Sequence, residues 1–329
     1  MKKPSRVLAA LLSFGILGGI ASGAAFAASM PSFPNQPVRL VVPAAADGAT
    51  GLQAQALAAV MRNHLGQQVL VEHRAGTGGI TGSAAVAKAP ADGHTLLLTS
   101  AALAVNAAWL PEQMPFDLWS ALAPVSLVAK APLVLAVHPG VPAKTVPELI
   151  ALAKRSRPVL QAGGNAAGSL SHVALSQFAQ AAGFRSETLL FNGGGPALQS
   201  LLQGRIDLVF VAMPLALPPL EAQRLRALAV TSAEASPKLL GVPAMQQFFY
   251  GMVIENWYAL LAPAATPQPV ITRLQVEVRR ALAEESVRER YARLGLMAAG
   301  STPEELAQTM RADVERFAGL IRQGRLSLQ

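Results

Sequence analysis

The strongest constraint on the fold is a regular alternation of short apolar runs with segments of helical periodicity, which begins at Val38. The runs VRLVVP, QVLVEHR and HTLLLTS have the length of buried strands, and LQAQALAAVMRNHL and SAAVAKA between them have helical spacing. Strands that alternate with helices in this way are typical of βαβ units and of a parallel sheet. The sequence therefore predicts an α/β fold in which the first strand ends at Val42.

A second series of the same kind runs from PLVLAVHPG, at residues 132–140, to LRALAVTS, at residues 225–232. The strand WYALLAP and three helices, at 268–284, 286–294 and 303–321, are predicted to follow. A chain that builds one lobe, then another, and then returns must cross between them twice, and we place the crossings near 128–131 and 229–232. The predicted lobes are residues 28–129 with 230–329, and residues 130–229, with a ligand cleft between them.

Capping signals are predicted at three helix starts. Thr302, with Pro303 and Glu305 after it, has the pattern of a capping box, and Thr145 with Glu148 repeats it. Thr50 with Gln53 is predicted to cap the first helix in the same manner.

The N-terminus has the pattern of an export signal. Lys2, Lys3 and Arg6 precede an apolar run over 7–24, and the small residues of AFA fit a cleavage site after Ala27. A retained membrane anchor is the alternative, because the run approaches membrane-spanning length. The cleavage pattern and the polar stretch after it favour removal of residues 1–27 and a location in the periplasm.

Composition excludes several classes of protein. Apolar residues make up 52% and charged residues 14% of the chain, which indicates buried cores rather than disorder. There is no cysteine, so neither disulfides nor a lipid-modified cysteine is possible. The formal charge of +8 includes three cations of the predicted signal and is otherwise dispersed, so no nucleic-acid footprint is predicted.

Two loops of very small residues each follow a predicted strand and precede a predicted helix. They are VVPAAADGATG, residues 41–51, and QAGGNAAGSLSH, residues 161–172. Bare loops let a ligand approach main-chain N–H groups, and helix N-termini attract anions. A tight turn that merely needs small residues is the alternative for each, and for the third such turn, FNGGGPA. One bare loop in each lobe favours capture of an anion across a cleft.

Other chemistry is poorly supported. The segment GTGGITG lacks a dinucleotide fingerprint because Thr81 stands at its last glycine position, and no P-loop lysine follows. The histidines lie far apart, so no metal site and no cofactor are predicted. Ser169 or Ser171 with His172 contains the residue types of a serine hydrolase, but no nucleophile elbow is present. Trp257 and Tyr258 are expected to be core aromatics, with Trp257 near the cleft as the alternative.

Many collinear motifs resemble the Bug-type extracytoplasmic solute receptors, which serve tripartite tricarboxylate transporters. They include FPNQPVRLVVP, GQQVLVEHRAGTGG, APADGHTLLLTS, FNGGGPALQSLLQGRIDLVF, WYALLAPAATPQPV and GSTPEEL, and they span the mature chain. The resemblance implies a type II periplasmic binding protein with two α/β lobes joined by two crossing strands. It implies no enzymatic activity, a small carboxylate or amino-acid-like ligand, and a membrane permease as partner.

The resemblance also implies which residues bind the ligand, largely through main-chain N–H groups and hydroxyls. The predicted set is Ala46, Asp47, Gly48, Ala49, Thr50, Gly51, Ser100, Asn165, Gly168, Ser169, Leu170, Ser171, Asn192 and Met213.

The opening loop departs from the family. Such receptors usually have an aromatic residue in place of Ala44, glycine in place of Asp47 and aspartate in place of Gly51, and often glycine in place of Ala166. Asp47 has three possible roles: it points away from the cleft, pairs with a cationic group of the ligand, or occupies the anion site itself. We expect the first or the second. Two functional alternatives remain beside transport, a sensor of the same fold that signals to a membrane kinase, and the serine hydrolase.

Overall fold

The computed structural model describes residues 33–328, and the predicted signal at 1–27 lies outside them. The strands are β1 (Val38–Val42), β2 (Val69–His73), β3 (Thr95–Ser100), β4 (Leu122–Val137), β5 (Gln161–Gly164), β6 (Glu187–Leu190), β7 (Leu208–Ala212), β8 (Arg226–Val230), β9 (Glu255–Pro263) and β10 (Met297–Ala298). The helices are α1 (Ala49–Leu65), α2 (Ile80–Ala87), α3 (Ala102–Trp109), α4 (Leu118–Ala121), α5 (Val146–Arg155), α6 (Leu170–Ala182), α7 (Gly194–Leu202), α8 (Met213–Glu221), α9 (Gln268–Ala283), α10 (Glu285–Arg293) and α11 (Pro303–Arg322).

The strands form one continuous sheet in the order β2-β1-β3-β9-β4-β7-β5-β6, with β8 and β10 also paired to β4. The βαβ series are parallel as predicted, in β1 with β2 and β3 and in β5 with β6 and β7. The strands β4, β8, β9 and β10 pair antiparallel. The sheet is therefore mixed.

Strand β4 joins two halves of this sheet. Its residues up to Pro132 pair with β9, and from Leu133 onward it pairs with β7 and β8. We call β1, β2, β3, β9, β10 and the first part of β4 the first half, and β5 to β8 with the rest of β4 the second half.

Each face of the sheet is covered by its own apolar layer. Leu133, Leu135 and Val137 belong to one buried cluster, whereas Val134 and Ala136 belong to the other. Successive side chains of a strand point to opposite faces, so a strand buried on both faces reads as a continuous apolar run. This explains the composition of LVLAV in β4. Within residues 33–328 no helix is long and apolar enough to cross a membrane.

One of the three predicted caps is complete and a second is formed in part. Thr302 accepts a hydrogen bond from Glu305 N while the Glu305 carboxylate accepts one from Thr302 N, a complete capping box. Thr145 accepts from Glu148 N, but the Glu148 carboxylate accepts from Lys144 N instead of from the cap residue.

The predicted cap on the first helix is wrong. Helix α1 begins at Ala49, its N-cap is Gly48, and no side chain caps it. Thr50 is already inside the first turn, and the Gln53 amide donates back to Ala49 O at 3.2 Å.

Candidate functional site

A cavity of about 340 Å³ lies where the carboxyl ends of the parallel strands of both halves meet. Its walls are residues 43–45, 47–50, 75–79, 165–166, 169–171 and 192–195, together with Ser100, Ala102, Leu133, Ala212, Leu215, Asn256 and Tyr258. Ligands of open α/β sheets bind at this edge, outside the carboxyl ends of the strands. The position and volume suit a small metabolite.

The start of α1 presents main-chain donors to the cavity. Gly48 is the N-cap without a side-chain bond, so the N–H groups of Ala49 and Thr50 are left for a ligand or water. Gly51 shapes the loop, since a Cβ atom on it would lie 2.4 Å from the Ala46 carbonyl oxygen. The small residues therefore have two roles: they permit a tight turn, and they leave the N–H groups at the helix start accessible.

The start of α6 faces the same space. Ser169 is its N-cap and its hydroxyl accepts from His172 N at 3.2 Å, while the first intrahelical bond runs from Val173 N to Ser169 O. The N–H groups of Leu170 and Ser171 precede that bond, and both residues line the cavity. The Ser171 hydroxyl donates to the Phe210 carbonyl of β7, so its side chain is engaged in the fold.

The start of α7 is a third helix N-terminus at the cavity. Its N-cap is Gly193, at φ +119°, a conformation that glycine adopts readily, and no side chain caps the helix. Gly194 and Gly195 line the cavity with Asn192 beside them.

Asp47 reaches this helix start from the opposite half of the sheet. A Cβ atom on Gly195 would lie 2.9 Å from an Asp47 carboxylate oxygen, and Asp47 itself lines the cavity at a solvent-accessible position. The prediction that Asp47 points away is thereby excluded.

The cavity wall has an unusual charge pattern. Among residues 33–328, it contains no lysine, arginine or histidine, and Asp47 is its one carboxylate. Burial raises the pKa of the Tyr258 phenol far above its usual range, so this group stays neutral. Positive potential in the cavity must therefore come from helix N-termini and main-chain N–H groups.

Ten of the fourteen predicted residues lie on the cavity wall. They are Asp47, Gly48, Ala49, Thr50, Ser100, Asn165, Ser169, Leu170, Ser171 and Asn192. The other four do not line the cavity. Ala46 and Gly51 form the loop, Gly168 packs on Asn106 and Trp109, and Met213 is fully buried beside Gly295.

The sequence prediction missed one wall entirely. Residues 75–79 enter the cavity between β2 and α2 through a short 3₁₀ turn, with Thr77 at φ 45° and Gly78 at φ 63°. The density of glycine in GTGGITG is the signal that indicates such a wall, since bare main chain lets a ligand approach closely.

Strand β9 supplies two further wall residues. Asn256 and Tyr258 face the cavity, whereas Trp257 between them points to the other side and donates from its indole N–H to Asp313 of α11 at 2.7 Å. The alternative of Trp257 near the cleft is therefore wrong, and the alternation of a strand assigns that place to its neighbours.

The residues of the serine hydrolase alternative do not form a catalytic set. His172 is only 6% exposed, burial lowers its pKa, and its Nδ1 has no hydrogen-bond partner within residues 33–328. No hydrogen bond in that part of the chain joins its side chain to a serine or a carboxylate, as acyl transfer requires. Within residues 33–328 there is no cluster of three or more histidine, cysteine, aspartate or glutamate side chains that could hold a metal ion.

Comparisons with known proteins agree with this arrangement. A family model described as the tripartite tricarboxylate transporter family receptor matches residues 53–326. Protein BugT of Bordetella pertussis is 33% identical over 322 residues, which are 97% of this chain and 97% of BugT.

Solved structures share the fold. The structure of periplasmic binding protein BugD has a TM-score of 0.84 and 28% identity, covering 90% of this chain and 99% of that one. The structure of MatC from Rhodopseudomonas palustris with bound malate has a TM-score of 0.82 and 28% identity, covering 88% and 100%. The predicted fold class is confirmed, and these relatives are binding proteins rather than enzymes. The chain belongs to the tripartite tricarboxylate transporter family of receptors, the Bug-type solute receptors that its sequence resembles.

Proposed function

We propose that this chain binds a small carboxylate or amino-acid-like metabolite in the cavity between the two halves of the sheet, without catalysing a reaction. The observation that carries this proposal is the convergence of the uncapped start of α1 and the start of α6 on a cavity whose wall, within residues 33–328, has no basic side chain. Helix N-termini bind carboxylates through N–H groups and the helix dipole. The malate in MatC, a relative of the same fold, supports this ligand class.

Hydrogen bonds from the free N–H groups supply a large part of the binding free energy of such a site. Each hydrogen bond from an N–H group to a carboxylate contributes about 1.5–3 kcal/mol. Three to four of them, from Ala49, Thr50, Leu170 and Ser171, together contribute about 5–12 kcal/mol before the cost of association, so other contacts of the ligand add to them in a micromolar complex. Ligands that lack a carboxylate would form weaker hydrogen bonds with these N–H groups, because an uncharged acceptor gives a smaller binding free energy.

We further propose that residues 28–129 with 230–329 and residues 130–229 are two lobes that close on the ligand. The change of partners in β4 between Pro132 and Leu133 supports one crossing. Thr231 supports the other, since its hydroxyl accepts from Leu133 N at 2.8 Å and donates to Ile254 O at 2.6 Å. A ligand that touches both lobes favours the closed state by its differential affinity for that state.

The proposed biological role is capture in the periplasm and delivery to a membrane permease of the tripartite tricarboxylate type. Membership of the receptor family supports this partner. Export would depend on the signal at residues 1–27, with cleavage after Ala27. Recovery of permease subunits with the ligand-loaded protein, in place of a membrane kinase, distinguishes transport from sensing.

The variant Ala49→Pro tests the binding mode directly. Proline at the first helical position removes one cavity N–H but suits a helix start, and Gly48 already has the extended conformation that a following proline requires, at φ −75° and ψ 160°. We expect unchanged stability and roughly a tenfold or greater loss of carboxylate affinity by calorimetry.

The matched control is Glu285→Pro at the first position of α10, away from the cavity, where the cap residue is also extended. It should bind as the wild type does. Equal affinity of Ala49→Pro and wild type would contradict binding at the start of α1.

A further inference from the structure

Two hydrogen-bond acceptors meet at the start of α7. The Asp47 carboxylate lies 2.9 Å from the position of a Cβ atom on Gly195, and the Asn165 amide lies beside Gly194, with its nitrogen 3.6 Å and its oxygen 3.7 Å from the position of a Cβ atom there. The Asn165 Oδ1 is buried and has no hydrogen-bond partner within residues 33–328. Both residues line the cavity.

These acceptors change what this end of the cavity attracts. A bare helix start with two glycines would receive an anionic group of a ligand. Here Asp47 already places a negative charge against it, and a second carboxylate nearby would be repelled by an amount that corresponds to roughly tenfold or more in affinity. In the part of the chain that the structure describes, no basic side chain on the cavity wall offsets that repulsion.

The unpartnered oxygen of Asn165 points to the same chemistry. A buried acceptor without a donor is costly, and a ligand N–H group satisfies it, whereas a carboxylate has no proton to donate. An ammonium group has three donors and the charge that Asp47 attracts.

We propose that Asp47 takes the place of a second ligand carboxylate and, with Asn165, selects a zwitterion. The ligand's single carboxylate binds at the starts of α1 and α6, and its ammonium group binds between Asp47 and Asn165 at the start of α7. This inference rests on the proposed function and adds the ligand class and the residue that determines it.

Matched pairs of ligands test the proposal by calorimetry. In each pair one carboxylate of a dicarboxylate is replaced by an ammonium group: succinate with 3-aminopropanoate, glutarate with 4-aminobutanoate, and adipate with 5-aminopentanoate. We expect the wild type to bind the amino member of the best-fitting pair at least about tenfold tighter. The variant Asp47→Asn, of the same shape, should lose that preference or reverse it.

A second variant displaces Asp47 without altering it. Gly195 lies inside α7 without a left-handed backbone, so alanine suits the helix, but its Cβ would push the Asp47 carboxylate aside. Gly195→Ala should therefore weaken the preference for the amino member while the protein remains folded. Glu221→Gln, at an exposed position at the end of α8, is the control and should keep the wild-type preference.

The outcomes separate the two proposals. If the wild type binds dicarboxylates at least as tightly as their amino partners, or if Asp47→Asn retains the preference, the selection of a zwitterion is refuted and carboxylate binding stands. If neither these compounds nor other carboxylates bind the wild type, the proposed function falls, and this inference with it.

Discussion

His172 shows that the neighbours of a residue in the sequence do not determine whether its side chain is buried. In the sequence it stands beside two serines and suggests chemistry; in the structure it is a buried residue in the first turn of α6. Its backbone N–H is the group that Ser169 caps. The residue therefore serves the helix start, and its imidazole is held away from water.

That burial predicts a pH dependence of stability. Burial lowers the pKa of His172 in the folded state, while the unfolded chain has the ordinary value near 6.5. The unfolded state then binds the proton more readily, so the free energy of unfolding falls as the pH drops below about 6.5. Denaturant titrations at pH 7.5 and 5.5 should show this loss, and His172→Gln should reduce it.

The half-buried His138, which accepts from Gly140 N, provides a control. His138→Gln should leave the loss between pH 7.5 and 5.5 in place. An identical pH dependence in wild type and His172→Gln would contradict the assignment to His172.

At the scale of elements, cap and periodicity signals predicted the C-terminal helices well. The predicted helices at 268–284, 286–294 and 303–321 correspond to α9, α10 and α11 within one or two residues. Their apolar stripes are buried and most of their charged residues face solvent, the pattern from which helical periodicity is recognised, although Glu277 of α9 is fully buried. Local sequence signals are sufficient to predict a helix when one of its faces is exposed to solvent.

The capping box of α11 predicts a measurable contribution to stability. Thr302→Ala removes the acceptor of Glu305 N and should lower the free energy of unfolding by about 1 kcal/mol. Thr302→Ser keeps a hydroxyl at the cap and should restore most of it. A Thr302→Ala variant as stable as the wild type in denaturant titration would show that the box contributes nothing.

Other elements were not predicted, for physical reasons. Helix α8 contains Pro218 and Pro219, which read as a turn, yet packing of Met213, Ala216 and Leu217 holds it helical. Helix α3 is apolar almost throughout, and a buried helix without a polar face has no periodicity to detect. In both, tertiary burial overrides the local signal.

At the scale of the whole molecule, the two halves of the sheet touch across the cavity. Gly168 of the second half lies against α3 of the first, and a Cβ atom on it would stand 2.4 Å from the Asn106 Oδ1 and 3.2 Å from the Trp109 ring. The role of Gly168 is therefore close approach between halves rather than direct contact with the ligand.

The variant Gly168→Ala tests this contact. The backbone of Gly168 has φ +73°, a left-handed conformation in which alanine lowers the free energy of unfolding by about 1–2 kcal/mol. Because the added methyl also separates the halves, we expect a loss of ligand affinity of roughly tenfold or more by calorimetry.

Gly183→Ala is the matched control. Its backbone has φ +65° and the nearest atom to an added Cβ is the Lys154 Nζ, 3.9 Å away, so it carries the same strain without a contact between halves. It should lose stability but not affinity. If both variants bind the ligand equally well, approach at Gly168 does not control binding.

The sequence by itself determined the α/β class, most strands and helices and the two bare loops, because periodicity, caps and small residues act over a few neighbours. It could not determine which loops meet. That the glycine-rich residues 75–79 form a wall, that Tyr258 and not Trp257 faces the cavity, and that Asp47 reaches Gly195 from the other half were decided by tertiary structure alone. These contacts join residues far apart in the chain, and their geometry depends on how the two halves of the sheet pack around the cavity.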